Sequence, residues 1–290
     1  MTIFNLGSIN IDNFYRVTHM PAPGETLTAH DYKVGLGGKG ANQSVAAARA
    51  GSNVVHIGAV GPEGQWCLDT LKGAGVDINH VKQLGTATGH ANIVVDARGE
   101  NQIILYTGAN TSLKVDQIDA ALARAKPGDA LILQNETNLT VEAAKVARAR
   151  GMRVIYSAAP FVTEDAKQML PHADMLVLNA VEAQQLTAAL GVSIADLNLP
   201  VVVITKGADG AVWLEDGIET VQTPAFPVTT VDTTGAGDCF IGYVAAGLDQ
   251  GMPPERAMQL GAAASAIKVT RFGTADAIPL RSEVDRYLAD

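Results

Sequence analysis

Apolar residues fall along much of this chain in short continuous runs, separated by stretches whose apolar positions recur with a helical spacing. Runs at residues 3–9, 54–60, 130–134, 153–156, 175–178 and 201–205 predict strands covered on both faces. The intervening residues 63–73, 115–125, 139–150, 163–170 and 180–190 predict helices, as do the small residues at 43–50 and the apolar stretch 240–248. Strands and helices in alternation indicate an α/β protein with a doubly wound, mostly parallel sheet between two helical layers.

Two stretches interrupt this alternation. Residues 13–34 are broken by Pro21, Pro23 and Gly24, and 26–34 mixes β-formers with polar residues. In residues 90–107, two β-rich segments (92–96 and 101–106) flank Ala97-Arg98-Gly99-Glu100, the pattern of a hairpin with a short loop. Together the two stretches predict a small inserted sheet, a lid over a ligand site. If one of its faces is apolar and exposed, a partner subunit is expected to cover it.

At 290 residues with 47% hydrophobic content, the chain can bury a large core, and one main domain spanning 1–290 with this lid is expected. The net charge of −9, without a run of Lys or Arg, argues against nucleic acid and acidic membranes as partners. No long apolar span or secretory leader is legible. Cys67 and Cys239 lie far apart without metal-ligand spacing, which suits two reduced thiols in a cytoplasmic protein.

Several polar groups fall where a doubly wound sheet builds its site, at the C-terminal ends of strands. The richest is Asp232-Thr233-Thr234-Gly235-Ala236-Gly237-Asp238, which runs into the apolar helix. Opening amides of a helix lack internal partners and bind anions, so Gly235, Ala236 and Gly237 are candidate phosphate binders and Asp238 an adjacent base. An Asp decorating a helix N-terminus is the plainer explanation of Asp238. Asn10 and Asp12 share one face of an extended segment at the expected end of the first strand, suited to vicinal hydroxyls or to an ordinary turn.

Gly35-Leu36-Gly37-Gly38-Lys39-Gly40-Ala41-Asn42 predicts a tight turn that offers amides, a lysine and an amide side chain. Gly35, Gly37 and Gly40 formally match a dinucleotide fingerprint, which makes a nicotinamide-dependent oxidoreductase the rival enzyme class. Glu136, Asn179, Glu182 and the segment Thr205-Lys206-Gly207-Ala208-Asp209-Gly210 follow predicted strands. Asn179 and Glu182 also suit a helix cap, and the segment at 205–210 a turn between strands.

Taken in order, these motifs resemble the ribokinase-like carbohydrate kinase family, from the first strand nearly to the C-terminus. The resemblance implies an α/β/α fold with a β lid, often dimeric through the lids, and transfer of the γ-phosphoryl group of Mg-ATP to the primary hydroxyl of a small sugar. D-ribose is the first expectation, with deoxyribose, fructose or adenosine as alternatives. By resemblance, Asp238 is the base and the amides of Gly235 to Asp238 the anion hole; Asn10, Asp12, Gly38, Lys39, Asn42 and Glu136 contact the sugar. Asn179 and Glu182 serve the phosphate–Mg²⁺ end, with Glu182 acting through water. Thr205 to Gly210, with Gly237 and Ala262, line the nucleotide. Asp232 and Thr234, with the backbone of Lys268, Arg271 and Gly273 and with Ala277 beside them, resemble a monovalent-cation site that would take K⁺. Ala277 replaces a frequent serine there, Ala262 stands where a polar residue often meets adenine, and residues 191–199 are short for the helix usual at that point.

Overall fold

Residues 1–289 are described by a computed structural model; the expected domain reaches Asp290, which lies outside the described residues. In chain order the first half comprises β1 (Thr2–Leu6), β2 (Asn10–Arg16), β3 (Asp31–Gly37), α1 (Lys39–Arg49), β4 (Asn53–Val60), α2 (Gln65–Gly73), β5 (Val76–Gln83), β6 (Gly89–Val95) and β7 (Asn101–Tyr106). It continues with α3 (Val115–Leu122), β8 (Ala130–Leu133), α4 (Thr140–Ala149), β9 (Arg153–Ser157), α5 (Thr163–Met169), β10 (Met175–Asn179), α6 (Ala180–Leu190) and β11 (Val201–Thr205). The last part holds β12 (Ala211–Glu215), β13 (Ile218–Thr223), α7 (Ala236–Asp249), α8 (Pro254–Val269) and α9 (Arg281–Ala289).

The main sheet has the order β13-β12-β11-β10-β9-β8-β1-β4-β5. Pairing is parallel from β5 through to β11, and the edge hairpin β12–β13 is antiparallel. Because side chains alternate across a strand, Ile3 joins one core layer and Phe4 the other, as do Val203 and Val202. The first layer is closed by α1, α2, α7, α8 and α9, the second by α3 to α6. The chain runs from β1 outward in one direction to β4 and β5, then returns to build β8 to β13 on the other side. The crevice at this reversal, above the C-terminal ends of β1 and β8, is where such sheets bind ligands.

A second sheet, ordered β3-β2-β6-β7, forms the expected lid. Its inner side packs Phe14, Ala91 and Ile93 against Phe272. Its outer strand leaves Ile103, Ile104, Leu105 and Tyr106 exposed, alongside Tyr32 and Val34 of β3.

The structure corrects the first predicted strand. β1 ends at Leu6, its last partner of β4 and β8, and the chain then crosses into the lid. Asn10 and Asp12 therefore sit on lid strand β2, with β3 on one side and β6 on the other, and not at the end of a sheet strand. The lid strands are accordingly residues 10–16, 31–37, 89–95 and 101–106, shifted from the expected 13–34 and 90–107. Helices α1 and α7 begin earlier than expected, so Lys39 and Asn42 belong to the first turn of one and Asp238 to that of the other. The turn between strands allowed at 205–210 joins β11 to β12, whereas strand β5, the return strand β13 and helices α8 and α9 have no counterpart in the sequence reading. The hairpin's Asp216-Gly217 turn, with both residues at positive φ, was a readable signal.

Candidate active site

The site forms where two helices start side by side. Gly38 (φ 90°) precedes α1 and Gly235 (φ 73°) precedes α7, a backbone region that glycine enters without strain. The helices touch closely because Gly242 has no Cβ; one there would collide with Ala46 and with the Gln43 carbonyl. This contact brings the first turns together. Asp238 Oδ2 accepts from Asn42 Nδ2 at 3.0 Å and Oδ1 from Gln43 Nε2 at 2.9 Å. Burial raises the Asp238 pKa above the usual carboxylate value, while the charge of Lys39 and these two hydrogen bonds act against it.

Gln43 was not singled out by sequence reasoning, yet it starts a buried polar chain. Its Oε1 accepts from Gln134 Nε2 at 2.7 Å, which also donates to Asn5 Oδ1 at 2.9 Å. Asn5 Nδ2 in turn donates to Gly40 O at 2.9 Å and Ser44 Oγ at 3.0 Å. The chain ends at His56, whose Nδ1 lies 2.8 Å from Ser44 Oγ and whose Nε2 lies 3.1 Å from Gly7 O. A carbonyl can only accept, so Nε2 carries the proton and Ser44 donates to Nδ1. Complete burial keeps this imidazole neutral, with its pKa pushed down to about 4. A lone polar residue in the apolar run 54–60 was the only sequence signal of this chain's far end.

Near Asp238 lie Asp12, Lys39 and Glu136. Ser8 Oγ donates to Glu136 Oε2, and the Lys39 amide reaches the same oxygen at 3.0 Å. Lys39 Nζ lies 3.5 Å from Glu136 Oε1. Burial disfavours the Lys39 ammonium, but Glu136 and Asp238 outweigh it and hold its pKa above the ordinary lysine value. Asp12 is buried, and desolvation, with Glu136 adding to it, lifts its pKa to about 7. Asn10 Oδ1 accepts from Asn110 Nδ2 at 2.7 Å, and Asn110 Oδ1 anchors the Ile9 amide at 2.9 Å. Asn110 is a further residue that sequence reasoning missed. Of the expected sugar-side residues, Asp12, Lys39, Asn42, Glu136 and Asp238 form one cluster, with Asn10 and Gly38 on its borders.

Asn179 and Glu182 make the capping box at the start of α6. Asn179 Oδ1 accepts from the Glu182 amide and Glu182 Oε2 from the Asn179 amide, both at 2.8 Å. The plainer explanation of the pair is thus correct as to structure. Glu182 nonetheless lies near enough to Lys39 and Asp238 to feel their charges, and burial raises its pKa. Its Oε1 is outside the cap.

Beyond the opening of α7 lies a cleft of about 560 Å³. Thr205, Gly207, Ala208, Gly210, Gly237 and Ala262 line it as expected, whereas Lys206 and Asp209 are exposed outside the lining. Unanticipated walls come from Phe226, Val228, Phe240 and Val269, none of which carries a polar side chain. Ser265, another lining residue, spends its hydroxyl on Ala236 O at 2.9 Å. At the mouth, the Ala236 amide is taken by Thr233 O at 3.1 Å, which removes it from the expected anion hole. Among the described residues, the amides of Gly237 and Asp238 bond no backbone carbonyl, as befits the first turn of a helix.

Around the expected cation position, Asp232 Oδ1 accepts from the Thr234 amide at 2.9 Å and Oδ2 from the Gly273 amide at 3.0 Å. Arg271 turns its guanidinium to Glu283. The dinucleotide alternative fails on topology: Gly35 and Gly37 lie within lid strand β3, not in a turn from a main-sheet strand to a helix.

Comparison with known proteins agrees with this architecture. The profile of the pfkB family carbohydrate kinases matches residues 2–281. A ribokinase of Haemophilus influenzae is 35% identical over 99% of this chain and 98% of its own length. A deoxyribokinase of Salmonella typhi is 34% identical over 100% and 99%. The structure of Arabidopsis thaliana ribokinase complexed with ribose and ATP superposes with a TM-score of 0.85 and 26% identity, covering 100% of this chain and 98% of that one.

Proposed function

The chain belongs to the pfkB family of carbohydrate kinases, and from this membership we propose that it transfers the γ-phosphoryl group of ATP to the primary hydroxyl of D-ribose, giving ribose 5-phosphate. The observation that carries the reading is the placement of Asp238. A carboxylate held on both oxygens by amide side chains stands at the opening of α7, between a polar cluster and an apolar cleft. Phosphoryl transfer asks the protein for alignment, charge neutralisation and a base, with little covalent work.

Each part has a candidate. Asp12, with Asn10, would accept sugar hydroxyls; a buried carboxylate accepts two O–H bonds at once. Asn42 Oδ1, buried without a partner, offers a further acceptor, its amide being committed to Asp238. Asp238 takes the hydroxyl proton as the new oxygen–phosphorus bond forms, so its base strength need not be high. Lys39 and the amides of Gly237 and Asp238 would meet the negative charge of the transferring group. Glu182 fits a Mg²⁺ ion held through water, since one carboxylate oxygen lies outside the capping box; the ion when bound neutralises phosphate charge.

The exposed apolar face of β3 and β7 supports a homodimer formed through the lids. Sedimentation showing only a single-chain mass at assay concentration would reject that assembly. Two free, buried thiols are in keeping with a cytoplasmic setting. Similarity to a deoxyribokinase, nearly as high as to a ribokinase, keeps 2-deoxyribose as the second acceptor. The test is ATP-coupled turnover with ribose, deoxyribose, fructose and adenosine. Ribose is expected to give the highest kcat/KM, and no phosphorylated product from any of the four would refute the reading.

A further inference from the structure

A buried lysine lies beneath the phosphate-side turn with no part in the chemistry so far. Lys268, in the last turn of α8, has no exposed surface, and its Nζ donates to Asp232 O at 2.9 Å. Burying an ammonium with a single carbonyl partner is costly unless negative charge lies close. Burial does pull its pKa down, while Asp232, Cys239 and Asp238 oppose the shift. Next to it, Val269 O accepts from the amides of Val231 at 2.7 Å and Asp232 at 3.1 Å, so the end of α8 is clasped to the start of the turn.

The monovalent-cation site implied by resemblance fits these residues poorly. The Lys268 carbonyl, one expected ligand, already accepts from the Arg271 amide at 3.0 Å. Both carboxylate oxygens of Asp232 are engaged by backbone amides, and Ala277 offers no hydroxyl. The Lys268 ammonium, moreover, already donates to the backbone carbonyl of Asp232.

We propose that Lys268 is a resident cation: its buried ammonium holds the 232–237 turn in its phosphate-binding shape, in place of a free monovalent ion. This rests on the kinase reading and makes Lys268 a positioning residue, since it acts on the nucleotide only through Asp232 and the turn. Asp232 ties the Thr234 and Gly273 amides, and the Thr233 carbonyl ties Ala236, so a charge fixed at Asp232 O steadies each contact up to the start of α7.

Calorimetric titration of Mg-ADP into the unmodified protein, in potassium and in tetramethylammonium chloride at equal ionic strength, tests this. The two affinities are expected to agree within about twofold, the mark of negligible coupling between ion and nucleotide. Tightening by K⁺ of about fivefold or more would overturn the proposal. In Lys268→Met, Mg-ADP binding should weaken roughly tenfold with ribose affinity unchanged. The variant should also gain a K⁺ response that the unmodified protein lacks. A folded variant that binds Mg-ADP as well as the unmodified protein would overturn the proposal. Should Lys268→Met fail to fold, the salt comparison on the unmodified protein decides alone. Failure of Mg-ADP to bind in either salt would overturn the kinase reading, and this inference with it.

Discussion

The two halves of the site are built from opposite materials. On the lid side, Asp12, Lys39, Asn42, Glu136 and Asp238 form a dense polar cluster, and Asp238 is backed by hydrogen-bonded side chains that run to His56. On the other side, the cleft past α7 is walled mostly by apolar side chains, among them Phe226, Val228, Phe240, Ala262 and Val269, with Thr205, Thr230 and Thr233 as the polar exceptions beside the committed Ser265. Polar walls that must be satisfied discriminate strongly, because a missing hydroxyl leaves a buried group unpaired. Apolar walls grade their ligands by shape and discriminate weakly. Selection is therefore expected to concentrate on the acceptor and to be loose for the nucleobase.

The largest expected effect lies on the residue shared by both halves. Asp238→Asn should lower kcat by roughly 10²–10⁴ while ribose affinity changes little; near-normal turnover would remove Asp238 from the chemistry. Next, Asp12→Ala should weaken ribose binding roughly 10²-fold, since hydrogen bonds to a charged group are lost, and leave Mg-ADP binding as it was. Equal losses for both ligands in calorimetry would erase the contrast between the two halves.

A third effect is pH dependence confined to the lid side. Burial and Glu136 raise the Asp12 pKa to about 7, so below that pH the group is a neutral acid that loses its charge and turns one oxygen from an acceptor into a donor. Ribose affinity should fall as pH drops through about 7, by at most tenfold per pH unit, and Asp12→Asn should flatten the curve. A flat profile in the unmodified protein would contradict this role. The smallest effect is expected on the nucleotide side, where replacing ATP by GTP should cost less than about tenfold in kcat/KM. A much larger loss would mean that backbone groups read the base edge.

Much of the frame was legible from local pattern. Residues 54–60, 175–178 and 201–205 proved to be strands of the parallel sheet, and the hairpin across 97–100 formed as expected. Where reading failed, a local signal was outweighed by a distant contact. Residues 7–9 extend the predicted first strand, but β4 and β8 stop pairing at Leu6. In residues 254–269 the polar Glu255, Arg256, Gln259, Ser265 and Lys268 fall on no single face and small apolar residues lie between them, so no helical stripe stood out; α8 packs against both α7 and the sheet.

Sequence alone determined which segments could be strands or helices, where glycine permitted sharp helix starts, and which motifs resembled a sugar kinase. These depend on neighbours a few residues apart, through backbone dihedrals and side-chain periodicity. Tertiary structure alone decided that Asn42 and Gln43 would grip Asp238 from positions 196 and 195 residues away, and that Lys268 would end beneath Asp232. Such pairings follow from how helices pack on a sheet, and the need to satisfy each buried polar group acts only once that packing has excluded water.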